Sequence, residues 1–321
     1  MTLQAEEETS IWKRNINFQG NAGIYGELYS ISGSSRRRPP SSGRIFFQPQ
    51  MMLFNTISLK GDFFLSTEGS SARQDLNIYS LHPSWSWGNG HIGDFSENYS
   101  KYTFNGKQVR GLGINIYPGS FRFSISGGIS SEAVSGNAVY KSYKQTLISS
   151  KIGYENSARN KYIHLIFLRA QDDKNSLPRP DTLWDEPPIS DTMENPLDTI
   201  WTKPPELKEE ITPAENTVGG LTGGAALFNN SLKIDFEMNG SAYAKDITTS
   251  EINMDSVGLN PFFADITSLF YEPREGSQFD FAGAAAVQWN QKNWNTRLKY
   301  DYIGPGYVSL GLPSQANDRQ K

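Results

Sequence analysis

"SLKIDFEMNGSAYA", residues 231–244, alternates like the teeth of a comb. Leu232, Ile234, Phe236, Met238, Gly240 and Ala242 take the even positions, and Lys233, Asp235, Glu237, Asn239 and Ser241 the odd ones. Neighbouring side chains of a strand point to opposite faces, so as a strand this segment has one apolar and one charged face. In a soluble sandwich the apolar face turns inward. In an outer-membrane barrel it turns outward to lipid, and the charged face lines a wet lumen. Strand length, connections and composition decide between them.

Of 321 residues, 37% are hydrophobic, and the mean hydropathy is -0.53. No run approaches the roughly 18 consecutive apolar residues of a spanning helix, whereas a barrel strand needs only every second residue apolar. Aromatics make up 12% and glycines number 29, which suits girdles and slender strands. The chain has no Cys, so disulfide and thiolate chemistry are excluded. His82, His91 and His164 are far apart in sequence, without zinc-ligand spacing. A net charge of -4 argues against nucleic acid as a partner. The chain has no glycine-rich phosphate loop, GxSxG or HExxH, and no signal pairs any two carboxylates. These absences lead to the expectation that the chain is not an enzyme and uses no cofactor or metal.

Combs recur along the chain, at 16–28, 57–66, 121–126 and 294–301. The comb at 16–28 exceeds the roughly five or six residues of a globular strand and meets the roughly 9–11 of a membrane-spanning one. "YPGS" (117–120), "ENSARN" (155–160), "FNNS" (228–231) and "NQKN" (290–293) are tight-turn signals. Between them fall long connections near 131–142, 171–215 and 247–277. Short and long alternate, the two-ended rule of an outer-membrane barrel with short periplasmic turns and long outer loops. A sandwich has no reason to sort its loops in this way.

Read back to the N-terminus, the same parity gives a strand at 15–31, an outer loop "SGSSRRRPPSSG" and one strand within 45–67. A turn "EGSSARQD", a strand at 76–88, an outer loop at 89–107 and a strand at 108–117 follow. The sum is about eleven strands. Single-chain barrels have even counts, so the expected fold is an antiparallel transmembrane β-barrel of which 15–321 is the N-terminal part. Residues 1–14 stand apart. "MTLQAEEETS" lacks the regions of a secretion signal, and "LQA" before Glu6 reads equally as the end of a cleaved signal peptide or as a disordered terminus.

Residues 171–215 hold 8 of the 17 Pro, with twelve carboxylates against four Lys or Arg. Such composition builds no core of its own. "DTLWDEPP" (181–188) is echoed by "DTIWTKPP" (198–205). Trp184 and Trp201 are therefore the candidate contacts for a glycan or a partner protein, though tacking the loop to the barrel rim is the simpler role. The acidic residues lack the spaced oxygens of a Ca²⁺ loop. "SRRRPP" (35–40) reads as a solvated loop more readily than as a phosphate cradle for lipopolysaccharide. Trp85 and Trp87 suit an interfacial girdle. Arg110, Arg122, Lys151, Asp235 and Glu237 are expected to face the lumen.

"STEGSSARQDLNIYSLHPSWSW" (66–87), "YTFNGKQVRGLGINIYPGSFRFSISGG" (102–128), "RAQDD" (169–173), "PAENTV" (213–218) and "YDYIGPGYVSLGLPSQAND" (300–318) carry a resemblance. They resemble large outer-membrane β-barrel proteins of the Bacteroidota and Ignavibacteria. The resemblance implies a longer barrel that continues into further strands after "SLGLP", and it carries over no catalytic or binding residues. The functional expectation is a non-enzymatic envelope protein in the outer membrane of a Gram-negative bacterium. It would serve as a pore or transport barrel, or as a surface secretion scaffold, with outer-membrane lipid and lipopolysaccharide as its surroundings. The alternative is a secreted β-sandwich adhesin that binds glycans through the Trp-bearing loop.

Overall fold

Alternating apolar teeth fold as strands because each strand buries or exposes one whole side at a time. The chain's structure, a computed structural model, describes residues 16–33, 40–67, 77–135, 141–158, 160–177, 211–253, 268 and 270–313. These form β1 (Ile16–Leu28), β2 (Ser41–Leu53), β3 (Ile57–Ser66), β4 (Ile78–Trp85), β5 (Gly88–Asn98), β6 (Asn105–Ile116) and β7 (Phe121–Ser131). There follow β8 (Gln145–Glu155), β9 (Lys161–Asp172), β10 (Glu215–Leu227), β11 (Leu232–Ala244), β12 (Gln278–Gln291) and β13 (Trp294–Ile303). All lie in one antiparallel sheet in sequence order, with β1 and β13 as its two edges. The fold is all-β, one antiparallel sheet of the up-and-down barrel order that is open between those edges.

The connections sort by end. Residues 54–56, 86–87, 117–120, 156–160, 228–231 and 292–293 turn at one end, and 29–40, 67–77, 99–104, 132–144, 173–214 and 245–277 connect at the other. The two-ended arrangement holds, but the described residues contain thirteen strands, not about eleven. The segment 45–67 is two strands, broken at Phe54 and Asn55, whose φ values of 51° and 52° make a reversal of left-handed residues. The stretch 89–98 is strand β5 rather than loop, entered by the turn at 86–87. The turn signal "EGSSARQD" (68–75) lies outside the described residues.

The comb of β11 faces as a barrel requires. Phe236 and Met238 are 37% and 66% exposed, while Asn239 and Ser241 are 2% and 4% exposed. Across the sheet, Met238 lines up with Leu221, Leu165 and Ile152, and Phe236 with Ala285 and Tyr300, so the apolar side is continuous. At the short-turn end it is edged by Phe54, Trp87, Phe121, Tyr154, Phe228, Trp289 and Trp294, all exposed. Trp85 and Trp87 pack edge to face at 5.3 Å, in the girdle position the sequence suggests. Among the described residues one continuous sheet carries the apolar side outward with no second sheet to bury it, which overturns the sandwich alternative.

Candidate functional site

The concave side carries the candidate site, in two parts. The half near the short turns is lined by charged and polar side chains. Arg122 Nε donates to Glu155 Oε2 at 2.8 Å, and Tyr162 Oη donates to Asp235 Oδ1 at 3.0 Å. Lys151 Nζ lies 4.8 Å above the Tyr99 ring, and the Tyr99 hydroxyl meets Ser126 Oγ at 3.4 Å. Arg122, Lys151, Asp235 and Glu237 thus take the lumen side, as their parity foretells.

Arg110 does not. Its strand alternates through Leu112 and Ile114, and Leu112 is 64% exposed on the outer side, so Arg110 shares that side. There Arg110 Nε donates to Asp94 Oδ1 at 2.9 Å and Nη2 to the Asn77 carbonyl at 2.8 Å, with the Tyr79 ring 5.9 Å away. Asp94 in turn accepts from the Tyr79 backbone N–H at 2.8 Å. Gly93, at φ 90°, makes this possible, because a Cβ there would run into the Tyr79 carbonyl. Parity, not charge, places the residue.

The histidines also differ from their sequence reading. β4 and β5 bring His82 and His91 together, Nδ1 to Nδ1 at 2.9 Å. His91 Nε2 lies 3.3 Å from Glu97 Oε1 and 3.2 Å from Asn115 Nδ2, and Asn115 Nδ2 donates to Glu97 at 2.8 Å. One imidazole must donate to the other, so the pair links the two tautomers and offers a short proton path ending on Glu97. Linear spacing does not reveal this cluster, because antiparallel pairing supplies the proximity. Among the described residues no group of three or more ligand side chains is placed to hold a metal ion.

The half near the long connections is filled. The loop 99–104 and the segment 304–313 after β13 both turn into the barrel. Phe95, Tyr99, Tyr102, Phe104, Val109, Leu147, Ile166, Leu168, Val218 and Tyr307 form the principal apolar core there. Polar groups stitch the two segments together and to the wall. Tyr307 Oη donates to the Tyr102 carbonyl at 2.8 Å and Ser309 Oγ to the Thr103 carbonyl at 2.5 Å. Asn216, fully buried, accepts from the Leu310 N–H at 3.0 Å and donates to the Val308 carbonyl at 3.1 Å. Gly311 is needed for close approach, since a Cβ there would meet Leu168 and the Thr103 carbonyl. Burial pushes the Tyr99 phenol up to about 12, against the pull of its contact with Ser126. Tyr102 is raised as well, by burial first and then by the Asp301 carboxylate.

Trp184 and Trp201, the tryptophans singled out as contacts, lie outside the described residues, as do residues 1–14 and the three arginines of "SRRRPP". On the outer side, a hollow of about 520 Å³ lies among Pro83, Trp85, Ile92, Leu112, Ile125 and Ile148.

No family model matches the chain, and no curated protein matches it. Among solved structures it is similar to OmpT, an outer membrane protein of Vibrio cholerae, in two forms. The form lacking loop L8 is 10% identical, with 89% of this chain and 92% of that chain covered at a TM-score of 0.35. The in-vitro folded trimer form is 10% identical, with 92% and 91% covered at a TM-score of 0.34. The expectation that the chain is not an enzyme is corrected here. It rested on missing linear motifs, yet the fold assembles His82, His91, Glu97 and Asn115 in the lumen wall. The restriction to non-enzymatic roles is withdrawn.

Proposed function

We propose that the chain is an outer-membrane β-barrel of a Gram-negative bacterium whose lumen passes polar solutes. The observation that carries the reading is the opposition of the two sides of β11 and its neighbours. The convex side is an exposed apolar belt, and the concave side is charged and wet at the short-turn end. Only a hydrocarbon surrounding makes such a belt favourable, because apolar area of this extent left in water is an aggregation surface. All the strands but β4, which has eight residues, run ten to fourteen, and these meet the roughly 9–11 residues that a spanning strand needs.

The belt's partner is outer-membrane lipid, with lipopolysaccharide in the outer leaflet. The resemblance to barrels of the Bacteroidota and Ignavibacteria supports the same placement. A scaffold for surface secretion uses the same barrel, but the filled lumen favours transport, since a static scaffold has no need of a plug held by polar contacts. Fractionation and conductance test the reading. The chain is expected in detergent-requiring outer-membrane fractions, and in planar bilayers it should give discrete ion currents. Recovery in the soluble periplasm or culture medium would overturn it.

A further inference from the structure

We propose that the loop 99–104 and the segment 304–313 form a two-part plug latched by the carboxylates of Glu237 and Asp301, and that release of the latch opens the lumen. The proposal rests on the reading of the chain as a barrel with a usable lumen. Its basis is a set of contacts between residues that the sheet itself would keep apart. The loop joins β5 to β6, while Glu237 and Asp301 sit on β11 and β13.

Glu237 meets the loop as an anion meets a nest of amides. The backbone N–H groups of Lys101 and Tyr102 donate to its two oxygens at 3.3 and 3.0 Å. Asn239 Nδ2 holds the same carboxylate at 2.9 Å and, through Oδ1, accepts from Thr103 Oγ1 at 2.7 Å. Consecutive N–H groups converging on one carboxylate are a recurrent anion-binding arrangement. Asp301 takes the other side of the loop. Lys101 Nζ and the Tyr102 hydroxyl reach its Oδ1 at 2.7 and 2.6 Å, and Lys299 Nζ reaches Oδ2 at 2.6 Å.

The second part of the plug depends on the first. The Asn105 N–H donates to the Gly311 carbonyl at 3.3 Å, and Tyr307 and Ser309 bond the carbonyls of Tyr102 and Thr103. Release of 99–104 therefore removes the Tyr307 and Ser309 contacts of 304–313 and leaves that segment held by Asn216, Ser241 and Asp280. The latch is polar and partly open to water, with Lys101 and Asp301 half and one-third exposed, whereas the plug behind it is buried. A strong polar latch at a wet edge, in series with a dry seal, is what a segment that closes and reopens requires.

The chain has no Cys, so a Thr103→Cys reporter, at a position with no exposure, is a unique thiol. It is read in the full chain, folded in proteoliposomes, by a membrane-impermeant maleimide, with ion conductance measured in parallel. In the latched protein the thiol should label slowly. Adding Glu237→Ala with Asp301→Ala should speed labelling roughly tenfold or more, as expected for a local opening made easier. Glu237→Gln with Asp301→Asn keeps acceptor oxygens without charge, and it should give a smaller acceleration in a barrel whose fold is less challenged. Equal labelling in all three backgrounds would overturn the latch. Faster labelling with no rise in conductance would overturn the claim that release opens the lumen, whereas a chain that conducts in none of the backgrounds, the unaltered one included, would overturn the pore reading.

Discussion

The two halves of the lumen differ along the same strands. On β11, Lys233 and Asp235 near the short turns are exposed, whereas Asn239 and Ser241 further along the same side are buried. The alternation of the sequence is uniform through both halves. The difference lies across the lumen, where water faces one half and residues 99–104 and 304–313 face the other. A strand's period fixes the side a residue takes, but segments distant in the chain decide whether that side is wet.

The largest effect should come from removing the frame common to both halves. Phe236→Arg or Leu298→Arg places a charge in the belt and should cost about 2–4 kcal/mol if the site lies near the bilayer midplane. Urea unfolding in lipid vesicles measures it, and a near-neutral result would remove the lipid-facing side from the comparison. Within the plugged half, Asn216→Ala leaves the Leu310 N–H and the Val308 carbonyl without this partner. A cost of roughly 1–3 kcal/mol is expected, as for any buried polar group left unmet. Hydrogen exchange at Leu310 should quicken in parallel. Glu237→Ala belongs to this class. Its lumen-facing parity alone would suggest a mild change, but two backbone N–H groups depend on it.

Alkali should separate the halves without mutation. The ordinary tyrosine value is 10.0 and Tyr99 is raised to about 12, so folding favours its neutral phenol. That contribution is whole below about 10 and is lost as pH rises through about 12. Hydrogen exchange of residues 99–104 should therefore accelerate between these values before exchange in β11 near the short turns does. Simultaneous loss in both regions would show that the plug is not a separate unit. The smallest effect is expected for Lys299→Ala, which removes one partly exposed ion pair and should cost under about 1 kcal/mol by the same urea unfolding.

The period-2 combs and the sorting of turns by length were legible in the sequence, and so were the girdle tryptophans Trp85 and Trp87. Two strands were not. The turn at Phe54–Asn55 lacks glycine and proline, and β5 fills its outer side partly with glycines, which read as loop. Arg110 lies on the outer side, against the lumen expectation, because it shares the parity of Leu112 and Ile114 and finds its partner in Asp94. The His82–His91–Glu97–Asn115 cluster and the plug were invisible for a common reason. Each is made by register or by chain folding between residues with no local pattern, and only paired strands bring them within hydrogen-bond distance.

The central claim is that β11 and its neighbours face lipid with one side and an aqueous lumen with the other. Single spin labels at 235 and 236 in the reconstituted chain test it most directly, because adjacent positions must report opposite surroundings. The label at 236 should be relaxed by lipid-dissolved oxygen, and the label at 235 by a water-soluble paramagnetic chelate. A label at 236 shielded from both reagents, as in a buried core, or relaxed by the chelate would contradict the barrel.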